Sequence, residues 1–154
     1  MALADALSNV VHLLFAGLWT GSVIFVTYAV LPAARAGDLN AAPLSSITGK
    51  LTTVSRVSSL LLFVTGGHMA GTGYTVESLT GSPRGHLVLT MVGLWLVLTA
   101  LVEVGASRLT EGTEADKVRA PARNATRIMQ AATVVSLLLL VVAGALAGNL
   151  AAAL

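Results

Sequence analysis

Three histidines carry most of the ligand-binding chemistry that this chain offers. His12, His68 and His86 are its only imidazoles, and it contains no cysteine. A neutral imidazole is the commonest metal ligand in proteins, and it also ligates haem iron. Because cysteine is missing, thiolate metal sites, disulfides and cysteine nucleophiles are all excluded. The first hypothesis is therefore a histidine site for a metal ion or a haem.

The composition shows where such a site would have to lie. Apolar residues make up 55% of the 154 residues and charged residues only 10%, with a net charge of +2. A soluble domain carries about 25% charged residues. The few charges here could not cover a water-exposed surface, and they form no strongly basic patch. These numbers exclude a water-soluble globular enzyme and a nucleic-acid-binding domain, and they make the lipid bilayer the expected partner.

Four apolar stretches are long enough to cross a bilayer, which needs about 20 residues per helix. They are residues 7–31, 57–74, 86–107 and 128–146. We therefore predict an all-α fold, a polytopic four-helix membrane bundle in which residues 1–154 form a single four-span domain. The first span is expected to end at Pro32, because proline removes a helical hydrogen bond. Residues 43–54 also show helical spacing of apolar residues, and we expect them to extend the second span or to lie at the interface.

The basic residues predict an orientation. Eight of the nine Lys and Arg residues belong to the first and third connections and their flanks, and Arg84 alone belongs to the second. Positive residues accumulate on the cytoplasmic side of membrane proteins. We therefore expect a multi-pass protein of the cell (plasma) membrane with both termini outside. The third connection, residues 108–127, is the most charged stretch of the chain.

This orientation places all three histidines in the outer half of the membrane. His12 and His68 would lie at similar depth on neighbouring antiparallel helices, where they could bind one metal ion or one haem iron between them. His86 would lie at the entrance, and Met91 would offer a soft sulfur ligand. Trp19 follows His12 by seven residues on the same helix face and would form a wall of the pocket. The alternative is that each histidine is a packing group, hydrogen-bonded to a hydroxyl or backbone group of the next helix.

Two further residues are expected to stay outside this site. Met69 adjoins His68, so it points about 100° away around the helix. Glu103 is the only acid within a predicted span. We expect its side chain to reach the inner interface and to pair with a basic residue there, rather than to relay protons or ions.

The first span carries a pattern that resembles a known family. It reads V-V-H-L-L-F-A-G-L-W-T-G-S-V-I-F, with an H-x6-W-x-G spacing on His12, Trp19 and Gly21. The second span contains T-G-G-H at residues 65–68. Both features resemble the CopD-like copper-resistance membrane proteins. The resemblance implies a membrane protein that handles copper, in binding, uptake or resistance, through the outer histidine site.

Two alternatives remain open at this point. The same first-span pattern resembles the HemJ-type protoporphyrinogen oxidases, four-span proteins that bind haem b through histidine. Members of both families often carry a lysine in the third span, where this chain has Thr90 and Met91. This difference weakens the prediction of an enzyme more than that of a binding protein. The other alternative is a structural membrane subunit without a ligand. Four spans with only one acid are few for a transporter that acts alone. We therefore also expect a homo-oligomer or another membrane partner, which would supply a wider interior.

Overall fold

Four long helices and one short helix make up the protein in the computed structural model, which describes residues 2–148. The long helices are span 1 (Ala2–Ala36), span 2 (Ala41–Gly73), span 3 (Pro83–Glu114) and span 4 (Arg119–Ala147). The short helix Val76–Gly81 connects spans 2 and 3. Each long helix is apolar enough to cross a membrane. The predicted all-α membrane fold is therefore confirmed for the described part of the chain.

The spans form an up-and-down bundle. Each span packs against the next along the chain, and span 4 returns to pack against span 1. Residues 37–40 and 115–118 are the only links between spans 1 and 2 and between spans 3 and 4. Such short links join antiparallel neighbours. Both links therefore lie at one end, here called the basic end, while Val76–Gly81 lies at the other, the histidine end. Spans 1 and 3 occupy diagonal positions.

The prediction that the first helix ends at Pro32 is wrong, because the helix continues to Ala36. Residues Val26–Val30 form a π-helical turn, in which the N–H of Leu31 bonds to the carbonyl oxygen of Val26. Proline lacks an N–H and clashes with the carbonyl one turn earlier in an ordinary α-helix. The wider turn directly before Pro32 accommodates it within a continuous span. The helix then ends at Gly37, whose φ of +91° is the left-handed conformation that glycine adopts without a Cβ clash.

The other helices also extend beyond the apolar stretches. Residues 43–54 are helical and extend span 2, as the sequence predicts. Span 3 continues to Glu114 and span 4 begins at Arg119, so most of residues 108–127 is helix rather than connection. Hydropathy marks the apolar part of each helix, but the helical backbone hydrogen bonds continue beyond that part.

Side-chain hydrogen bonds join neighbouring spans in the interior. The hydroxyl of Thr27 lies 3.2 Å from the carbonyl oxygen of Met129, and that of Thr133 lies 3.2 Å from Thr27, which connects spans 1 and 4. The indole N–H of Trp95 donates to the carbonyl oxygen of Ser59 at 3.2 Å, which connects spans 2 and 3. Polar contacts of this kind contribute to helix association in lipid.

Spans 3 and 4 approach each other closely at two glycines. A Cβ on Gly105 would lie 2.7 Å from the sulfur of Met129, and a Cβ on Gly112 would overlap the ring of Pro121. Small residues at such positions let helix backbones pack closely, which is a main source of helix association within a membrane.

Enlarging Gly105 should therefore destabilise the bundle. We expect Gly105→Leu to lower the free energy of unfolding by about 1–3 kcal/mol, the usual cost of overpacking. Gly93→Leu is the matched control, because it lies on the same span with no atom within 4 Å of a Cβ. Thermal unfolding of both variants in the same detergent measures the difference. Equal stability of the two variants would contradict the packing described for Gly105.

Candidate functional site

His12 is held by a hydrogen bond to span 2. Its Nδ1 lies 2.8 Å from the hydroxyl oxygen of Thr65 on span 2. That hydroxyl donates its own hydrogen to the carbonyl oxygen of Leu61, at 2.6 Å. Because the hydroxyl hydrogen is donated to Leu61, we assign the His12 proton to Nδ1, which donates to the Thr65 oxygen, and the lone pair of the neutral ring to Nε2. The lone pair on Nε2 is the part of His12 that can bind a metal ion.

His68 pairs with an acid that the sequence prediction did not include. Its Nε2 lies 3.0 Å from Oδ1 of Asp5 on span 1, and the two side chains are 38% and 50% exposed. Asp5, His12 and Trp19 follow one another at seven-residue intervals, so they share one face of span 1. This spacing is the sequence signal that points to Asp5. Asp5 itself lies just before the apolar stretch 7–31, which is defined by hydropathy.

The two histidines lie at different depths. His12 is opposite Thr65, while His68 comes three residues later on a span that runs antiparallel to span 1. Three residues correspond to about 4.5 Å along a helix, so His68 lies nearer the histidine end. Each ring has its own partner, and residues 2–148 contain no group of three or more His, Cys, Asp or Glu side chains placed to hold a metal. A single ion shared by His12 and His68 thus stays a prediction.

His86 and Met91 lie on span 3, diagonally across the bundle from His12. The Nε2 of His86 donates to the carbonyl oxygen of Thr80 at 2.8 Å, at the end of the helix Val76–Gly81. This bond anchors the short helix to the start of span 3. Met91 is half-buried and lies further along the same span. Their assignment as an entrance residue and a soft ligand remains a prediction.

Gly66 and Met69 shape the surroundings of His12. A Cβ on Gly66 would lie 3.2 Å from Cε1 of His12, so this glycine lets the backbone of span 2 approach the ring. Met69 comes four residues after Thr65 and is half-buried. Residues four apart lie on one helix face, so Met69 lies one turn nearer the histidine end on the face that Thr65 presents to span 1. The sequence prediction had placed Met69 outside the site.

Deeper in the bundle than His12, the buried polar groups are hydroxyls and an indole N–H instead of imidazoles. Trp19 is 1% exposed, and the register set by His12 and Thr65 places it level with Ser58. Among the described residues, the indole nitrogen of Trp19 and the hydroxyls of Ser55 and Ser58 are buried without a hydrogen-bond partner. The groups at this level are one N–H donor and two hydroxyls, and none is a soft metal ligand.

Glu103 forms an ion pair away from the histidines. Both of its oxygens accept hydrogen bonds from the guanidinium of Arg56, at 2.8 and 2.9 Å. The pair joins spans 2 and 3, and the side chains of Arg56 and Glu103 are 69% and 35% exposed. Glu103 therefore has the basic partner that the sequence led us to expect, on the neighbouring helix rather than on its own.

The contact between Gly66 and His12 can be tested by substitution. We expect Gly66→Ala to displace the ring and weaken its bond to Thr65, whereas Gly67→Ala meets open space and should change nothing. Nitrogen NMR of protein labelled only at histidine reports the protonation of each ring nitrogen, and His12→Gln identifies the His12 signals. We expect His12 to carry its proton on Nδ1 and His86 on Nε2. A His12 signal that responds equally to both alanine variants would contradict the geometry.

Part of the chain matches a known protein family. The family model described as CopD, copper resistance protein D, matches residues 45–147. The matched segment begins within span 2 and continues through spans 3 and 4, so it contains His68 and His86, whereas His12 and Trp19 precede it. No curated protein and no solved structure matches the chain.

Proposed function

Because the chain belongs to the copper resistance protein D family, which residues 45–147 match, we propose that it binds copper at the histidine end, with Nε2 of His12 as the anchoring ligand. Family membership and four apolar spans make it a copper-resistance membrane protein in general terms. The observation that carries the finer proposal is the hydrogen bond from His12 Nδ1 to Thr65.

That hydrogen bond has the arrangement of a metal-binding histidine. Such a histidine almost always donates its second ring N–H to an oxygen acceptor, which fixes the tautomer and orients the ring. His12 donates Nδ1–H to Thr65, and Thr65 is itself oriented by its bond to Leu61. The Nε2 atoms of His68 and His86 both have partners, Asp5 and the carbonyl of Thr80. His12 is thus the histidine best prepared to bind a metal ion through Nε2.

Met69 is the soft ligand that we propose for the same ion. Thioether sulfur favours Cu(I), and imidazole suits copper in either oxidation state. Met69 lies on the face of span 2 that carries Thr65, one turn nearer the histidine end. In this proposal His68 and Asp5 form the outer part of the site. The exposed carboxylate of Asp5 attracts the cation, and His68 turns from Asp5 to the metal as a further ligand.

Haem is the weaker candidate for this site. Ligation of one iron by His12 and His68 would require both rings to leave their present partners, Thr65 and Asp5, and to turn toward a common centre. Copper requires only the free Nε2 of His12 to begin binding. No contact among the described residues favours haem over copper.

Copper titration of single variants tests this proposal. We expect His12→Ala and Met69→Leu each to weaken Cu(I) binding by at least about tenfold, the lower limit seen even for loss of outer-shell partners. His86→Gln and Met91→Leu should change it little, because both residues lie on the diagonal span. Competition against a chromogenic Cu(I) chelator in detergent measures the affinity, and the visible spectrum of the same sample shows whether haem is present. Wild-type affinity in His12→Ala would refute the proposal.

The role of Thr65 can be separated from its packing. Thr65→Val keeps the shape but removes the oxygen that orients His12, so we expect a loss of about 10- to 100-fold in copper affinity. Thr65→Ser restores the oxygen and should restore most of the affinity. Helix content and elution volume serve as controls for folding. Equal affinities of the valine and serine variants would show that Thr65 does not position His12 for metal binding.

A further inference from the structure

Arginines gather at the basic end of the bundle, far from the histidines. The last turn of span 1 packs there against the first turns of span 4. A cleft of about 500 Å³ lies between them, and it is lined by Pro32, Arg35, Ala36 and Arg123. We call it the arginine cleft. It contains none of the residues proposed to bind copper.

The cleft has an excess of positive charge. Arg35 and Arg123 are exposed, and neither takes part in the ion pairs found within residues 2–148, which are Arg56–Glu103 and His68–Asp5. The guanidinium of Arg119 packs against Gly37 and adds a third charge beside the cleft. Asp38 and Asp116, the acids nearest along the chain to Arg35 and Arg119, make no ion pair with them. Arg35 and Arg123 thus line the cleft with Arg119 beside it, and none of the three forms an ion pair among residues 2–148.

This arrangement costs stability unless an anion is bound. Arg119, Arg123 and Arg127 follow one another at four-residue spacing in span 4, and like charges four residues apart repel each other on a helix. The first turn of span 4 contains no acid and has no side-chain cap. Positive charges also interact unfavourably with the positive end of the helix dipole. An anion in the arginine cleft would offset both effects.

The position of the cleft indicates which kind of anion it meets. Arg35 comes directly after the apolar residues of span 1. Arg127 comes directly before the apolar residues of span 4, and Arg123 lies one helical turn before Arg127. The cleft therefore lies at the level of lipid headgroups, where basic clefts between membrane helices bind acidic lipids. Guanidinium groups bind phosphate oxygens through two parallel hydrogen bonds.

We propose that the arginine cleft binds a phosphate group through Arg35 and Arg123. The group belongs either to an anionic phospholipid at the membrane surface or to a free phosphate, because both present the same charged oxygens. The binding is independent of copper and of the histidine end. Since each basic residue near an anionic lipid contributes about a fivefold gain in affinity, loss of both arginines should weaken binding about thirtyfold.

Native mass spectrometry of the delipidated full chain tests the proposal. The protein is offered equal amounts of phosphatidylglycerol and phosphatidylcholine, with and without inorganic phosphate. We expect one phosphatidylglycerol to be retained in preference, and the double variant Arg35→Gln/Arg123→Gln to lose that preference. The matched control is Arg108→Gln/Lys117→Gln, which removes two charges from the same end outside the cleft and should behave as wild type. Competition by inorganic phosphate shows that the phosphate group alone is recognised, and its failure shows that the lipid is required.

Two results would overturn the proposal. One is that the cleft variant retains phosphatidylglycerol as well as the wild-type protein does. The other is that the cleft variant and the control variant lose it equally, which would indicate diffuse attraction by surface charge. If the double variant fails to fold, Arg35→Lys provides the test, because lysine keeps the charge but cannot form the bidentate hydrogen bonds of a guanidinium group. It should then weaken lipid retention, and unchanged retention would refute the site.

Discussion

Helices within a bilayer gain little by hiding apolar side chains from lipid, because lipid tails are as apolar as leucine. This constraint explains why many large apolar side chains lie on the outside of the bundle, which would be unfavourable in a soluble protein. Leu13, Phe63 and Val141 are 61–70% exposed on its outside. Its interior is rich in small and hydroxyl residues, namely Ala34, Ser55, Ser58, Ala106, Ala122, Ala125, Ala132, Thr133 and Ser136. Close backbone packing and interior hydrogen bonds therefore act together with a core of large apolar side chains, such as Trp19, Leu98 and Met129, in holding the four spans together.

The same constraint links packing to chemistry at the histidine end. A buried polar side chain loses hydrogen bonds unless the protein supplies a partner, since lipid offers none. Among the described residues, Trp19, Ser55 and Ser58 lack such a partner. By contrast, His12 has a partner for one nitrogen, because it donates to Thr65, and this bond also fixes the register between spans 1 and 2. A packing histidine and a ligand histidine are therefore not exclusive interpretations. The bond that satisfies Nδ1 is the one that leaves Nε2 available and oriented.

The number and type of the spans could be read from the sequence, because both follow from hydropathy alone. Their ends could not. Pro32 ends an ideal α-helix, but a π-helical turn over Val26–Val30 keeps span 1 continuous, and hydropathy carries no signal for such a turn. Most of the charged residues 108–127 likewise continue spans 3 and 4, which leaves only residues 115–118 as a link.

The candidate site was predictable for His12 and not for its partners. The choice of Thr65 depends on how span 2 is rotated and how closely it approaches at Gly66, and both are set by packing between helices. Met69 shows the geometric reason most clearly. It lies about 100° from His68, but the two are about 40° and 60° to either side of Thr65, so both remain on the face toward span 1. Angles measured from His68 alone could not reveal this, because His68 is not at the centre of the face.

The chemistry along spans 1 and 2 favours capture of copper at the histidine end over conduction through the interior. On the described parts of spans 1 and 2, imidazole and thioether ligands are confined to the region from His12 outward, and the buried thioether of Met129 on span 4 packs against Gly105. Two turns deeper, the described interior offers the N–H of Trp19 and the hydroxyls of Ser55 and Ser58. An N–H donor repels a cation, and hydroxyls are poor ligands for a soft one. At the far end, Arg35 and Arg123 favour anions. Along spans 1 and 2, a soft cation that entered at His12 would thus meet progressively less suitable groups, which is consistent with the copper-binding site proposed above.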